Sequence, residues 1–146
     1  MDFSTDVLAQ TTIMPVDDLN IKLNIPSHEH IIYIKRLYSV ENRPMILQET
    51  YIPVHICQSI LEEDVKNNSL FGLLEKKYGI QITRVRNYFE STYLKADECK
   101  MFNLPENSSA VVLNQHFYSW KTQVMYTRSI TVTDRCKFLL NFEKAL

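Results

Sequence analysis

The stretch HIIYIKRLYSVENRPMILQETYIP, residues 30–53, decides the fold class that we predict for this chain of 146 residues. Residues 30–40 are rich in β-branched and aromatic side chains, which is typical of a strand. Glu41-Asn42-Arg43-Pro44 has the composition of a turn, and residues 45–53 resemble a second strand. Because the connection is too short for a crossover, the two strands are expected to pair as an antiparallel hairpin.

Other segments extend the sheet that this hairpin begins. Residues 80–94 (IQITRVRNYFESTYL) predict a long strand, and residues 109–119 and 123–133 predict a second hairpin. Residues 1–14 show only a weak pattern. We expect them to form an arm or linker before a domain that covers residues 15–146.

Three short helices are predicted around these strands. The first begins near Pro15, since proline is favoured in the first turn of a helix. The second runs from the capping residue Ser69 to the stop signal Gly79, and the third begins at the cap Asp97. Since most strands are joined by short turns, this order predicts an α+β fold in which helices flank a mainly antiparallel sheet.

Composition and charge exclude several classes of function. The 16 basic and 17 acidic residues leave a net charge of −1, whereas domains that contact DNA are usually basic. Only two glycines occur, which excludes phosphate-binding loops that need several. The three scattered cysteines and four histidines form no zinc or catalytic motif, and no apolar run is long enough to span a membrane. We therefore expect a cytoplasmic protein with no metal, cofactor or membrane contact.

Charged and aromatic residues on the long strand suggest an anion site. Alternation along the strand places Arg84, Arg86, Tyr88 and Glu90 on one face. Two arginines in this spacing bind phosphate or carboxylate well, provided that something shields them from water. A solvated strand face is an equally good interpretation, because exposed charges are common on one side of an antiparallel sheet.

The second hairpin adds further polar candidates. His116 and Tyr118 share one face of a strand, and Tyr126 and Arg128 share one face of its partner. Such a group suits a small polar anion. A structural histidine with half-buried tyrosines at a sheet edge is the alternative interpretation.

Glu49 is a candidate on the first hairpin, where it lies beside Tyr51 in an apolar neighbourhood. Its carboxylate has two possible roles. It accepts a hydrogen bond from a ligand hydroxyl or amine, or it pairs across the hairpin with Arg36 and is structural.

Several short motifs follow one another in order over almost the whole chain. They are Ile34-Lys35-Arg36-Leu37-Tyr38, Glu49-Thr50-Tyr51-Ile52-Pro53, Ser69-Leu70-Phe71 with Tyr78-Gly79-Ile80, Thr83-Arg84-Val85-Arg86, Asn103-Leu104-Pro105, and Asp134-Arg135 with Phe138. In this order they resemble the UTRA domain, the effector-binding and dimerising half of HutC-type regulators of the GntR family.

The resemblance implies a chorismate-lyase-like fold with a cleft for a small metabolite, often a sugar phosphate. It implies no enzymatic activity, and it implies a homodimeric transcription regulator, expected to be a repressor. Operator DNA would bind through a winged helix-turn-helix domain, which these residues do not include. The resemblance also assigns an anion-binding role to Arg84, with Arg86 beside it. The expected effector-binding residues are Arg84, Arg86, Glu90, His116, Tyr118, Tyr126, Arg128 and Glu49.

Two other functions remain open at this point. One is a chorismate-lyase-like enzyme, which also needs arginines for its carboxylates, and the other is a dimerisation module that binds no ligand. No pattern places a second acid opposite Glu90, which favours the sensor. Met125 stands where the family often has a glutamate, so the chain departs from the family pattern close to the expected ligand.

Overall fold

The computed structural model describes residues 2–132, which contain one six-stranded antiparallel sheet in the order β1-β2-β3-β6-β5-β4. The strands are β1 (Phe3–Ile13), β2 (Ile31–Val40), β3 (Arg43–Pro53), β4 (Arg84–Tyr93), β5 (Ser109–Ser119) and β6 (Thr122–Val132). The helices are α1 (Leu19–Leu23), α2 (Leu70–Gly72), which continues as a π-helical turn (Leu73–Lys77), and α3 (Ala96–Phe102), with a 3-10 turn at Gln58–Glu62. The predicted α+β fold and both predicted hairpins are confirmed.

Residues 1–14 differ most from the prediction. Residues 3–13 are not an arm but form the edge strand β1, which pairs with β2 from Phe3↔Val40 to Ile13↔Ile31. Most of the side chains of β1 are exposed or half-buried, so its sequence lacks the strong hydrophobic alternation that marks a strand. The sheet therefore begins well before residue 15.

The helix ends agree with two of the four predicted signals. The first helix begins at Leu19, because Asp17 and Asp18 have positive φ, so Pro15 lies before the helix and not in its first turn. Ser69 Oγ accepts a hydrogen bond from the backbone N–H of Gly72 at 2.9 Å, and Gly79 has a φ of 67°. Both observations confirm the predicted start and stop of the second helix. The third helix begins at Ala96, so Asp97 lies in its first turn and is not the cap.

Two other predictions concern the ends of segments. The strand expected over residues 80–94 begins at Arg84 and ends at Tyr93. The motif Asp134-Arg135 with Phe138, like everything after Val132, lies outside the described residues.

The helices pack on opposite faces of the sheet and divide the core between them. On one face, named here the α2 face, Ile34 and Ile52 pack with Leu74 beside α2. On the other, the α1 face, α1 and α3 cover the sheet, and Leu47 packs with Phe102 of α3. No helix within residues 2–132 is long and apolar enough to span a membrane.

The packing of α3 predicts the effect of a single substitution. Phe102 is 0% exposed, so Phe102→Ala removes a fully buried ring and leaves a cavity. We expect the free energy of unfolding to fall by about 3–5 kcal/mol, measured by urea denaturation. Phe3→Ala is the matched control, since Phe3 is 74% exposed and its loss should change stability by less than about 1 kcal/mol. Equal losses in both variants would contradict this account of the core.

Candidate functional site

A buried arginine lies on the α2 face at the centre of β2. Arg36 is 5% exposed, and its Nη1 donates a hydrogen bond to the carbonyl of Val65 at 3.3 Å. Its Nη2 donates to Gln48 Oε1, and its guanidinium lies 5.6 Å from the ring centroid of Tyr38. No carboxylate of residues 2–132 forms an ion pair with Arg36, and its Nε has no hydrogen-bond partner. Burial lowers the pKa of Arg36 because the charged form loses its hydration.

A cavity of about 230 Å³ opens beside this guanidinium, between the sheet and the start of α2. We name it the Arg36 cavity. The hydroxyl of Thr50, a residue that is 0% exposed, also lines it and has no hydrogen-bond partner within residues 2–132. Unpaired buried polar atoms are uncommon, because each costs free energy that a partner would offset. The lining residues are Arg36, Tyr38, Gln48, Thr50, Ser69, Leu70, Phe71, Gln115, Phe117, Met125 and Thr127.

Cross-strand pairs hold the polar wall of the Arg36 cavity in place. Gln48 lies opposite Arg36 in the β2–β3 ladder and donates from Nε2 to Ser129 Oγ at 3.1 Å. Thr127 lies opposite Thr50 and donates from Oγ1 to Gln115 Oε1 at 3.2 Å. Antiparallel pairing thus brings side chains from four strands to one surface.

The α1 face carries most of the residues predicted from sequence. Glu90, His116, Tyr118 and Tyr126 line one open cavity of about 480 Å³ beside α1, which we name the α1 cleft. Sequence reasoning missed the other residues that line this cleft. They are Ile21, Lys22, Asn24, Tyr88, Asn114 and Gln123.

Arg84 and Arg86 are exposed at the rim of the α1 cleft and do not line it. The guanidinium carbon of Arg84 lies 4.2 Å from the ring centroid of Tyr118, and that of Arg86 lies 5.6 Å from the ring of Tyr88. The shielding from water that a strong two-arginine anion site needs is therefore missing here. That these two residues bind the effector stays a prediction.

Glu49 and Arg128 line a neighbouring cavity of about 410 Å³, which shares Lys22 and Tyr126 with the α1 cleft. Glu49 Oε2 accepts hydrogen bonds from the hydroxyls of Tyr33 at 2.6 Å and Tyr51 at 3.3 Å, and its Oε1 lies 3.5 Å from Arg128 Nη1. Burial and the Glu49 carboxylate raise the pKa of both tyrosines. The carboxylate of Glu49 is therefore already bonded to side chains of the protein itself.

The alternative pairing of Glu49 with Arg36 is wrong. In the β2–β3 ladder Arg36 lies opposite Gln48, while Glu49 lies opposite Lys35. Neighbouring residues of a strand point to opposite faces, so Arg36 and Glu49 lie on different sides of the sheet.

The sequence analysis did not predict the Arg36 cavity, although one feature of the sequence pointed to it. Arg36 interrupts an apolar strand, and a charge at such a position is either paired or functional. The sequence could not show that its cross-strand neighbour is a neutral amide, nor that α2 covers it.

Comparison with known proteins places the chain in a family. The family model described as "UTRA domain" matches residues 1–137. The chain belongs to the UTRA domain family. The match covers residues 1–14 as well, which agrees with β1 being part of the domain.

One curated relative is the HTH-type transcriptional regulator GmuR of Bacillus subtilis strain 168. It is 27% identical over 86 residues, which are 59% of this chain and 33% of GmuR. The chain thus matches about a third of the length of that regulator.

Solved structures share the fold at low sequence identity. The C-terminal domain of the histidine utilization repressor from Pseudomonas syringae pv. tomato is 14% identical, with a TM-score of 0.89 over 98% of this chain and 100% of that one. The effector domain of PhnF from Mycobacterium smegmatis is 17% identical, with a TM-score of 0.85 over 98% and 88%. A ligand-binding domain of a GntR-family regulator from Bordetella bronchiseptica is 14% identical, with a TM-score of 0.80 over 95% and 92%. The expected UTRA-type fold is confirmed.

The environment of His116 predicts how stability depends on pH. His116 is 8% exposed, and its Nδ1 lies 3.0 Å from Gln123 Nε2. Burial lowers its pKa and outweighs the hydrogen bonds to the Lys22 backbone and to Gln123, which raise it. The unfolded chain therefore binds a proton at a higher pH than the folded one. We expect the free energy of unfolding to fall as the pH drops below about 6.5 and to stop falling at the lower pKa of the folded state.

Urea denaturation at a series of pH values measures this effect. His116→Gln should flatten the decline below the ordinary imidazole pKa, whereas the exposed control His28→Gln should retain it. If wild type and His116→Gln give parallel curves, His116 does not cause the decline.

Proposed function

We propose that the chain is the effector-binding domain of a GntR-family transcription regulator, and that the anionic group of the effector binds in the Arg36 cavity. The observation that best supports this is the buried guanidinium of Arg36, which has an unpaired Nε and no carboxylate partner among residues 2–132. A buried charge without a counter-charge is costly. An anion that enters the cavity supplies both the charge and the missing hydrogen-bond acceptor.

The neutral groups around Arg36 favour a phosphorylated sugar or amino sugar as the effector. Thr50 offers a hydroxyl with no partner in the described part of the chain, and Tyr38 and Ser69 add two more hydroxyls at the cavity wall. Sugar hydroxyls donate and accept hydrogen bonds, so they match hydroxyls and amides better than an apolar ligand would. The phosphate would pair with the guanidinium, which donates well to its oxygens.

The wider role follows from the relatives. GmuR is a transcriptional regulator, and two similar solved chains are the effector domain of PhnF and the ligand-binding domain of a GntR-family regulator. We place DNA binding in a winged helix-turn-helix domain of a longer protein, in agreement with the net charge of −1.

The chain would act as a homodimer whose arrangement the effector changes. A ligand shifts such an equilibrium only when it binds one arrangement better than the other.

The element that carries the change is proposed to be α2 with its π-helical turn. Phe71 of α2 lines the cavity and packs edge-on against Phe117 at a centroid distance of 6.4 Å. The π-helical turn includes the hydrogen bond from the N–H of Tyr78 to the carbonyl of Leu73, and such turns are frequent at functional sites. A ligand between α2 and the sheet contacts both, so its binding depends on where α2 lies.

The same cavity argues against catalysis by this chain. Among its lining residues in the described part of the chain there is no carboxylate to serve as a general acid or base. We therefore propose saturable binding without turnover. The chorismate-lyase-like alternative is tested by incubating the protein with chorismate and measuring pyruvate.

Calorimetric titration with glucose 6-phosphate, glucosamine 6-phosphate and inorganic phosphate tests the site. At least one of the two sugar phosphates should bind wild type, and at about 100 times its Kd it should stabilise the fold by roughly 2.7 kcal/mol. Arg36→Gln should weaken binding by about 30-fold or more, because a charged donor is lost. Thr50→Val, which keeps the shape of the side chain, should weaken it less.

Arg84→Ala and Arg86→Ala are the matched controls, since both arginines are exposed on the other face. They should leave the affinity unchanged. Binding that survives Arg36→Gln but is lost in these two variants would move the effector site to β4. Binding of neither sugar phosphate would contradict the proposed effector class.

A further inference from the structure

A row of aromatic rings crosses the α1 face, separate from the Arg36 cavity. The ladders place His116 opposite Tyr126 and Tyr126 opposite Tyr51. The ring centroids of His116 and Tyr126 are 4.8 Å apart, and those of Tyr126 and Tyr51 are 5.7 Å apart. Tyr88 of β4 meets His116 edge-on at 5.4 Å, which extends the row to the edge of the sheet. Rings at these separations attract one another and form a preorganised surface.

Several polar groups at the base of the α1 cleft are already bonded within the protein. The hydroxyl of Tyr126 donates to Asn114 Oδ1 at 2.6 Å, and Asn114 Nδ2 donates to Glu90 Oε1 at 2.9 Å. Gln123 Nε2 donates to the carbonyl of Lys22 at 2.7 Å and lies 3.0 Å from His116 Nδ1. In the Arg36 cavity, by contrast, Arg36 Nε and the Thr50 hydroxyl have no partner among the described residues. The α1 cleft therefore offers mainly its rings to a ligand.

Positive charges surround these rings. Lys22 Nζ lies 5.6 Å from the ring centroid of Tyr126, and Arg84 and Arg86 lie over the rings of Tyr118 and Tyr88. Within the described residues none of these three cations forms an ion pair with a carboxylate. Their positions at the rim leave their charges available to an anion whose other end lies between the rings.

We propose that the α1 cleft is a second binding site, which takes a planar aromatic carboxylate. The aromatic ring of the ligand packs among Tyr88, His116 and Tyr126, and its carboxylate pairs with Arg84 and Arg86 at the rim. A cavity of about 480 Å³ is within the range of small-molecule sites. The proposal is independent of the proposed effector, because the Arg36 cavity lies on the opposite face of the sheet.

Titration with 2-naphthoate, followed by its fluorescence and by calorimetry, tests this site. Decahydronaphthalene-2-carboxylate is the matched probe, since it keeps the size and charge but has no aromatic ring. We expect one equivalent of 2-naphthoate to bind per protein chain. The saturated acid should bind more weakly by about tenfold or more. Equal affinities would overturn the aromatic part of the proposal, and absence of 2-naphthoate binding would overturn it altogether.

Variants separate the two sites. Tyr88→Leu and the double variant R84Q/R86Q should each weaken 2-naphthoate about tenfold, whereas Tyr93→Leu, which alters an exposed tyrosine of the same strand outside the cleft, should not. Arg36→Gln should leave 2-naphthoate binding unchanged while it weakens sugar phosphate binding about 30-fold or more. Loss of 2-naphthoate binding in Arg36→Gln would show that the aromatic acid enters the Arg36 cavity and would overturn the second site.

Competition with inorganic phosphate is a further test. Displacement of 2-naphthoate by equimolar inorganic phosphate would show that the α1 cleft is only a general anion patch and would overturn the proposal.

Discussion

The alternation of side chains along a correctly registered antiparallel sheet is the constraint on which the rest of this structure depends. Arg36 faces Gln48 on one side of the sheet, while Tyr33 and Tyr51 face each other on the other side. A shift of one residue between β2 and β3 would exchange these two sets. Ile52 would then face α1 and Glu49 would face α2, away from the groups that each now contacts. Register therefore fixes both the core and the two cavities at once.

The two cavities differ in how their polar atoms are satisfied. At the Arg36 cavity, the part of the chain that the structure describes leaves a guanidinium Nε and the hydroxyl of Thr50 without partners. Each such atom costs roughly 1–3 kcal/mol unless something binds it. In the α1 cleft Asn114 and Gln123 are bonded to neighbouring groups, so a ligand gains little from them. The first cavity favours ligands rich in hydrogen-bonding groups, and the second favours flat apolar ones with a charge at one end.

The sequence predicted the fold class and both hairpins, but neither the edge strand β1 nor the Arg36 cavity. Both hairpins, their antiparallel pairing and the common face of His116 and Tyr118 follow from local patterns. The strand β1 did not, because an edge strand with most side chains exposed carries little hydrophobic signal. The role of Arg36 did not either, since it depends on the pairing of β3 with β6 and on coverage by α2, which no local pattern contains. The spaced arginines of β4 were the more conspicuous motif, and the structure leaves them exposed.

The β5–β6 hairpin links the two faces in a simple way. Gln115 and Phe117 line the Arg36 cavity, while Asn114 and His116, the residues between and beside them, line the α1 cleft. The ladders of β5 run to β4 on one side and to β6 on the other, so this strand is held at both edges and resists displacement. Among residues 2–132, α2 has no such ladder and packs on the sheet through side chains. An effector that entered between the two would move α2 at a lower cost than the strands, and this is why we propose α2 as the element that carries the signal from the Arg36 cavity.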